Sequence, residues 1–179
     1  DTIAGVLSGS HERILKIFES EYMNIGSGIQ PFNAWLLIRG LRTLPARLER
    51  ISKSTNEVLA FLKQHPGVEE VIFPFDENFP QYELARQQMS GACGLLTFVI
   101  RANELQEIEK FCETLQHIFM AVSWGGHESL IIPRAAGMKK GDFDATNREH
   151  RMIRLYTGLE EPAYLVKDLQ MAFNAIGHQ

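Results

Sequence analysis

The sequence has few cysteines and no long apolar run. Its 179 residues include only Cys93 and Cys112, which are too few for a disulfide framework and lack metal-ligand spacing. Both lie among apolar residues, which favours buried free thiols in a reducing compartment over a disulfide. No stretch reaches the roughly 18 apolar residues that a membrane span needs. No signal peptide is visible, and the sequence begins at Asp1 without an initiator Met. We therefore expect a cytoplasmic protein with no membrane partner.

The sequence also lacks a basic excess. It has 18 lysines and arginines against 22 acidic residues, for a formal net charge of −4, and its basic residues are scattered. Nucleic acids and anionic membranes are bound by basic surfaces, so the composition argues against both partners. Hydrophobic residues make up 45% and charged residues 22%, which is typical of a soluble globular domain.

Several common catalytic motifs are absent. There is no G-x-x-x-x-G-K-[ST] phosphate loop, no G-x-S-x-G nucleophile elbow and no H-E-x-x-H zinc motif. The six histidines are dispersed without ligand spacing. The sequence therefore predicts no metal site.

The first third of the chain is predicted to be mainly helical. Residues 2–10 are a short apolar run that predicts a strand ending in a turn, and residues 11–23 have helical apolar spacing. Pro31 fits the first turn of the next helix, where its missing N–H costs nothing. Pro45 argues against one unbroken helix, so we expect Thr43 to cap a second helix. This second helix is predicted to end at a His-Pro-Gly tripeptide.

From about residue 66 the chain alternates between strands and helices. Strands are predicted at 68–74, 94–100, 119–124 and 151–158, and helices at 82–89, 103–118 and 161–178. Asn103 is the predicted N-cap of the middle helix, and Gly177 is the predicted stop of the last one. This order predicts a layered α/β domain with one sheet and a helical cover. Residues 134–150 lack apolar periodicity and predict a surface loop.

The stretch SWGGHESL, residues 123–130, favours neither a helix nor a strand. Ser123 offers a hydroxyl, while Gly125 and Gly126 would let a ligand approach the backbone closely. Backbone N–H groups in such a turn can bind an anion. Trp124 could form the wall of a small-molecule pocket, although most tryptophans are core residues. The stretch by itself indicates either a plain strand-to-loop turn or part of a site for a small anion.

Arg154 is the second candidate for binding an anion. On the predicted strand, Met152, Arg154 and Tyr156 share one face. The planar guanidinium can bind a carboxylate through two parallel charge-assisted hydrogen bonds. A solvated or salt-bridged arginine is the alternative interpretation of the same pattern.

Three segments in this order resemble the Cys/Met-metabolism enzymes that depend on pyridoxal phosphate. They are RGLRTLPARLER (39–50), SWGGHESLI (123–131) and IRLYTGLE (153–160). The resemblance implies an α/β fold of the aspartate-aminotransferase type (fold type I). It also implies that residues 1–30 are the tail of the large cofactor-binding domain, residues 31–65 are connecting helices and residues 66–179 form the small C-terminal α/β domain. The family's usual assembly is a homotetramer.

The resemblance also implies roles for individual residues. Arg154 matches the arginine that binds the substrate α-carboxylate, and Ser123 and the backbone at Trp124 match residues that help to hold the same group. The Schiff-base lysine is expected just upstream of Asp1, and pyridoxal phosphate is expected to be bound mainly by the N-terminal half of the same enzyme. No catalytic, cofactor-binding or metal-binding residue is therefore assigned within this sequence.

The activity implied by the resemblance is that of a carbon–sulfur lyase of trans-sulfuration. Such an enzyme carries out β- or γ-elimination on a sulfur amino acid such as cystathionine or methionine. PRAAGM (133–138) replaces the family's frequent P-A-x-M-T-H, and Val122 stands where some γ-enzymes carry glutamate. These departures leave the reaction preference open. The alternatives are a γ-replacement cystathionine γ-synthase and a truncated, non-catalytic fragment that acts as an interaction module.

Overall fold

The computed structural model of the protein describes residues 2–26 and 28–178. It contains two compact units, Asp1–Ala46 and Arg47–Gln179. The predicted division of the chain at residues 30 and 65 stays a prediction.

The first unit is helical. Helix α1 (His11–Ile17) continues through a π-helical turn (Phe18–Tyr22) into the short α2 (Met23–Ile25), and α3 spans Pro31–Leu41 with Pro31 in its first turn. These helices confirm the predicted ones. The strand predicted at residues 2–10 is wrong, because no described residue pairs with this segment. A strand without a ladder partner leaves its N–H and C=O groups unpaired, so local apolar content alone does not create one.

Helix α4 spans Leu44–Gln64. It begins one residue after Thr43, as predicted, and ends immediately before the His-Pro-Gly tripeptide. Val58 and Leu62 lie four residues apart on one face and are fully buried in the core of the second unit. The helix is therefore amphipathic, and its apolar side belongs to that core.

The second unit contains a five-stranded sheet in the order β1-β2-β5-β4-β3. The strands are β1 (Val68–Ile72), β2 (Leu95–Ile100), β3 (Phe119–Met120), β4 (Leu130–Pro133) and β5 (Met152–Tyr156). All neighbours are antiparallel except β3 and β4, which are parallel. β5 is thus the central strand, paired on both sides. β4 was not predicted, and β3 is shorter than predicted.

Helices α5 (Tyr82–Gln88), α6 (Leu105–Thr114) and α7 (Pro162–Ala175) complete this unit and confirm the predicted helices. The predicted N-cap Asn103 is wrong, because Glu104 is the residue that precedes α6. The backbone N–H of Asn103 instead donates to the Glu107 carboxylate (2.6 Å). A glutamate in the first turn of a helix can accept from the backbone that precedes the helix, as in a capping box.

One face of the sheet carries most of the core, and the other carries a smaller buried cluster of Ile51, Leu130 and Tyr156. Alternate residues of the strands are fully buried and pack with apolar residues of the helices: Phe98, Ile131, Ile153, Leu155, Phe111, Leu165, Leu169 and Phe173. The residues between them in the strands, including Thr97, Ile132 and Arg154, lie on the opposite face. The part of the opposite face around Thr97, Ile132 and Arg154 is not filled by this smaller cluster and lines a cavity.

The irregular loop and the buried Cys112 agree with the predictions, whereas Cys93 is less buried than predicted. Cys112 is buried and Cys93 half-buried, and both are free. Residues 134–150 are irregular apart from 3-10 turns at Lys140–Asp142 and from Arg148 onwards. Within residues 2–26 and 28–178, none of the helices combines the length and apolar character required to cross a membrane.

Candidate functional site

The central strand β5 presents Arg154 on the open face of the sheet. Arg154 lies opposite Thr97 of β2 on one side and opposite Ile132 of β4 on the other. Its neighbours Ile153 and Leu155 are fully buried on the core face. Because successive side chains of a strand point to opposite faces, this burial fixes the direction of the Arg154 side chain.

The Arg154 guanidinium binds backbone carbonyls of the segment that follows β3. Its Nη2 donates to the carbonyl oxygen of Val122 (2.6 Å) and to that of Ser123 (3.2 Å). No carboxylate of the described residues forms an ion pair with it. Neutral carbonyls fix one nitrogen without neutralising the charge, so the other N–H groups can bind an external anion.

Ser123 and Trp124, the other two predicted site residues, come directly after Val122 in the chain. Ser123 is brought to Arg154 through its backbone carbonyl rather than its hydroxyl. The Trp124 side chain is 60% exposed, so it is a surface aromatic and not a core residue. Gly125 has φ +90°, a conformation that side chains rarely adopt. The Val122 carbonyl was missed, because a backbone acceptor has no signature in the sequence.

Ser129, Gly158 and Glu160 form a buried polar clamp at the C-terminal end of the loop 122–129. Ser129 is fully buried; its N–H donates to Glu160 Oε1 and its hydroxyl to Glu160 Oε2, both at 2.8 Å. The same hydroxyl accepts from the Gly158 N–H (2.8 Å). Each buried polar group of the clamp is therefore satisfied, which stabilises the loop against the segment that follows β5.

Two further contacts fasten the middle of the loop to the same segment. The Tyr156 hydroxyl donates to the carbonyl oxygen of Gly126 (2.9 Å), and the Leu159 N–H donates to that of His127 (2.8 Å). Burial, together with nearby Cys93 and Glu128, raises the pKa of Tyr156. The hydroxyl thus stays protonated and remains a donor. Sequence reasoning missed these anchors, although both partners lie in the two motifs that it singled out.

Among the described residues, the structure contains neither a buried lysine nor a group of side chains that could hold a metal ion. All seven lysines are exposed: Lys16, Lys53, Lys63, Lys110, Lys139, Lys140 and Lys167. Lys63 forms an ion pair with Asp76 (2.6 Å). In the part of the chain that the structure describes, no three His, Cys, Asp or Glu side chains are grouped so that they could hold a metal ion.

Comparison with known proteins places this geometry in a family. The family model for Cys/Met metabolism PLP-dependent enzymes matches residues 1–174. Cystathionine gamma-lyase of Macaca fascicularis is 36% identical over 179 residues, which cover 98% of this chain and 44% of that protein. The chain thus spans less than half the length of this relative.

Solved structures agree. Cystathionine gamma-lyase of Lactobacillus plantarum complexed with L-serine has a TM-score of 0.74 and 32% identity, over 87% of this chain and 42% of that one. O-Acetylhomoserine sulfhydrylase of Wolinella succinogenes has a TM-score of 0.76 and 28% identity, over 89% of this chain and 43% of that one. The predicted α/β fold of type I is confirmed. Because the family model covers nearly the whole sequence and the fold is shared, this chain belongs to the Cys/Met metabolism PLP-dependent enzymes.

Proposed function

We propose that this chain supplies the carboxylate-binding site of a pyridoxal-phosphate-dependent carbon–sulfur lyase. The observation that carries the proposal is the Arg154 guanidinium, which is held through Nη2 by two carbonyls and has no counter-ion among the described residues. A guanidinium in this state matches the planar, bidentate geometry of an amino-acid carboxylate. In this proposal Ser123 and Trp124 form the adjoining wall, and residues 66–179 act as the small domain.

The described residues do not fit the aldehyde end of the cofactor, which needs a lysine amine in a sheltered site. When bound, pyridoxal phosphate withdraws electrons from the α-carbon of the amino acid. The work of this chain's residues is binding and orientation: Arg154 fixes the carboxylate, and the loop 122–129 limits its rotation. Holding a reacting group in one orientation lowers the entropic part of the barrier.

The substrate class proposed is a sulfur amino acid such as cystathionine or methionine, with β- or γ-elimination as the reaction. The similarity to cystathionine gamma-lyase of Macaca fascicularis supports it. A γ-replacement reaction is the second candidate, supported by the similarity to O-acetylhomoserine sulfhydrylase of Wolinella succinogenes. Assaying pyruvate, α-ketobutyrate and cystathionine formation side by side distinguishes β-elimination, γ-elimination and γ-replacement.

We also propose a cytoplasmic homotetramer. Free Cys93 and Cys112 support a reducing compartment. Apolar side chains of the first unit support burial against other protein, because monomers rarely expose many such groups together. Phe32 is 66% exposed, Trp35 55% and Leu41 61%. Light scattering of the full-length protein tests the tetramer.

Replacing Arg154 tests the proposal in the full-length protein that carries this sequence, loaded with pyridoxal phosphate. Arg154→Ala should lower kcat/KM for the amino acid roughly 100-fold, because a desolvated bidentate pair worth about 3 kcal/mol of binding free energy is lost. Arg154→Lys keeps the charge and loses the fork, so it should lie between wild type and Ala. The absorbance of the bound cofactor should be unchanged in both variants. An unchanged kcat/KM in Arg154→Ala removes the site assignment.

A further inference from the structure

A cavity of about 350 Å³ opens on the face of the sheet that carries Arg154. It is bounded mainly by Thr97, Ile132, Pro133, Met152 and two arginines, Arg134 and Arg154. None of its lining residues is acidic. The cavity therefore combines an apolar wall with two cations and no internal anion.

Strand register places the two arginines side by side. Arg154 lies opposite Ile132, and Arg134 follows Ile132 by two residues, so it shares the same face. The Arg134 N–H donates to the carbonyl oxygen of Met152 (2.8 Å), which continues the ladder beyond β4. Diagonal neighbours of this kind have Cα atoms roughly 7–8 Å apart, within reach of each other's long side chains.

The two guanidinium groups are not neutralised within the described chain. Arg154 donates only to carbonyls, and the side chain of Arg134 has no hydrogen bond or ion pair with a described residue. Glu70 of β1 lies on the same face, but both its carboxylate oxygens accept from Arg148 (2.6 and 2.8 Å). Adjacent like charges on a sheet destabilise it, and an anionic ligand in the cavity would remove this repulsion.

We propose that Arg134 binds a second anionic group, carried at the end of the substrate's side chain. The substrate class is then an amino acid whose side chain ends in a carboxylate, with the α-carboxylate on Arg154, as the proposed function requires. Ile132 and Met152 contact the methylene or thioether atoms between the two charged ends. Arg134 is thus a specificity residue, and a substrate with a neutral side chain gains nothing from it.

The test uses two isosteric thioether amino acids that differ only in terminal charge. S-Carboxymethyl-L-cysteine ends in a carboxylate, and S-carbamoylmethyl-L-cysteine ends in a neutral amide. Dissociation constants of both are measured by calorimetry with the full-length protein. Wild type should bind the acid about tenfold more tightly, because one charge-assisted pair is worth about that factor. Arg134→Gln should remove this preference, and Arg134→Lys, the charge-conserving control, should keep most of it.

Each result decides between the proposals. Equal binding of acid and amide by wild type overturns the second anion contact, and so does an equal loss for both ligands in Arg134→Gln. Binding of neither ligand by wild type overturns both proposals. Arg154→Ala should weaken acid and amide equally, since both carry the α-carboxylate. If Arg154→Ala weakens neither ligand while Arg134→Gln removes the acid preference, only the α-carboxylate assignment fails.

Discussion

At Gly158 the backbone that follows β5 packs directly against the backbone of the loop 122–129. A Cβ atom at this position would lie 2.2 Å from the carbonyl oxygen of His127 and 2.6 Å from the carbonyl carbon of Glu128. Both are backbone atoms, so Gly158→Ala must displace the loop rather than a flexible side chain. Overpacking costs roughly 1–3 kcal/mol. Loss of the Leu159–His127 hydrogen bond and the contacts of Ser129 adds about 1 kcal/mol for each. We therefore expect Gly158→Ala to lower the free energy of unfolding by about 3 kcal/mol or more.

The measurement is urea denaturation of the full-length protein, with KM for the amino acid determined on the same preparation. KM should rise, because the loop that supplies the Val122 and Ser123 carbonyls is displaced from Arg154. Gly141→Ala is the matched control: it adds the same methyl group where nothing lies within 4 Å. A Gly158→Ala protein as stable as Gly141→Ala, with unchanged KM, would refute the argument that this contact sets the loop position.

Three further outcomes are expected. Ser129→Ala should lower the free energy of unfolding, measured by urea denaturation, by about 2 kcal/mol, because the buried Gly158 N–H and a Glu160 carboxylate oxygen lose their partner. Ser123→Ala, at an exposed position, is the control and should leave this free energy almost unchanged. Burial, and then nearby His178, lowers the pKa of His65, so the unfolded chain takes up the proton first. The contribution of His65 to the free energy of unfolding should be complete above about pH 6.5 and should be lost as the pH falls through the lower pKa of the folded state. A His65→Gln protein that loses the same stability over this pH range would contradict the assignment. Burial raises the pKa of the Cys112 thiol to about 12, so iodoacetamide at pH 8 should label it only after unfolding, and mass spectrometry showing rapid labelling of the native protein would contradict this.

The elements that the sequence predicted are those whose pattern is local and long. In helix α4 the apolar residues recur at helical spacing over several turns, so the pattern is clear in the sequence. Strand β5 combines alternation with clear flanking residues. β4 was missed because its four residues, Leu130–Pro133, are too few to show a period. The false strand at residues 2–10 has the opposite cause: its apolar content resembles a strand, but a strand exists only with a partner.

In the candidate site, too, some residues could be picked out from the sequence and others could not. The strand pattern marked Arg154 as either solvated or an anion ligand, and only the family resemblance assigned it to a carboxylate, a role that stays a prediction. The Ser129–Glu160 clamp was missed because its members are 31 residues apart, and only the pairing of β4 with β5 brings them together. The Val122 carbonyl has no side-chain signature, and no sequence pattern could have named it. Side chains with a candidate role can thus be picked out from the sequence, whereas the groups that fix their position depend on tertiary structure.

Because β5 is paired on both sides, the face on which Arg154 lies depends on whether a length change in the strand is odd or even. Inserting or deleting one residue within Met152–Tyr156 would exchange the two faces, turning the guanidinium into the core and a leucine or isoleucine toward the open face. An even shift would keep the face but change the partners opposite Arg154. Length variation that keeps Arg154 on the open face is therefore confined to the connections, such as the irregular segment at 135–147, and to even shifts within β5.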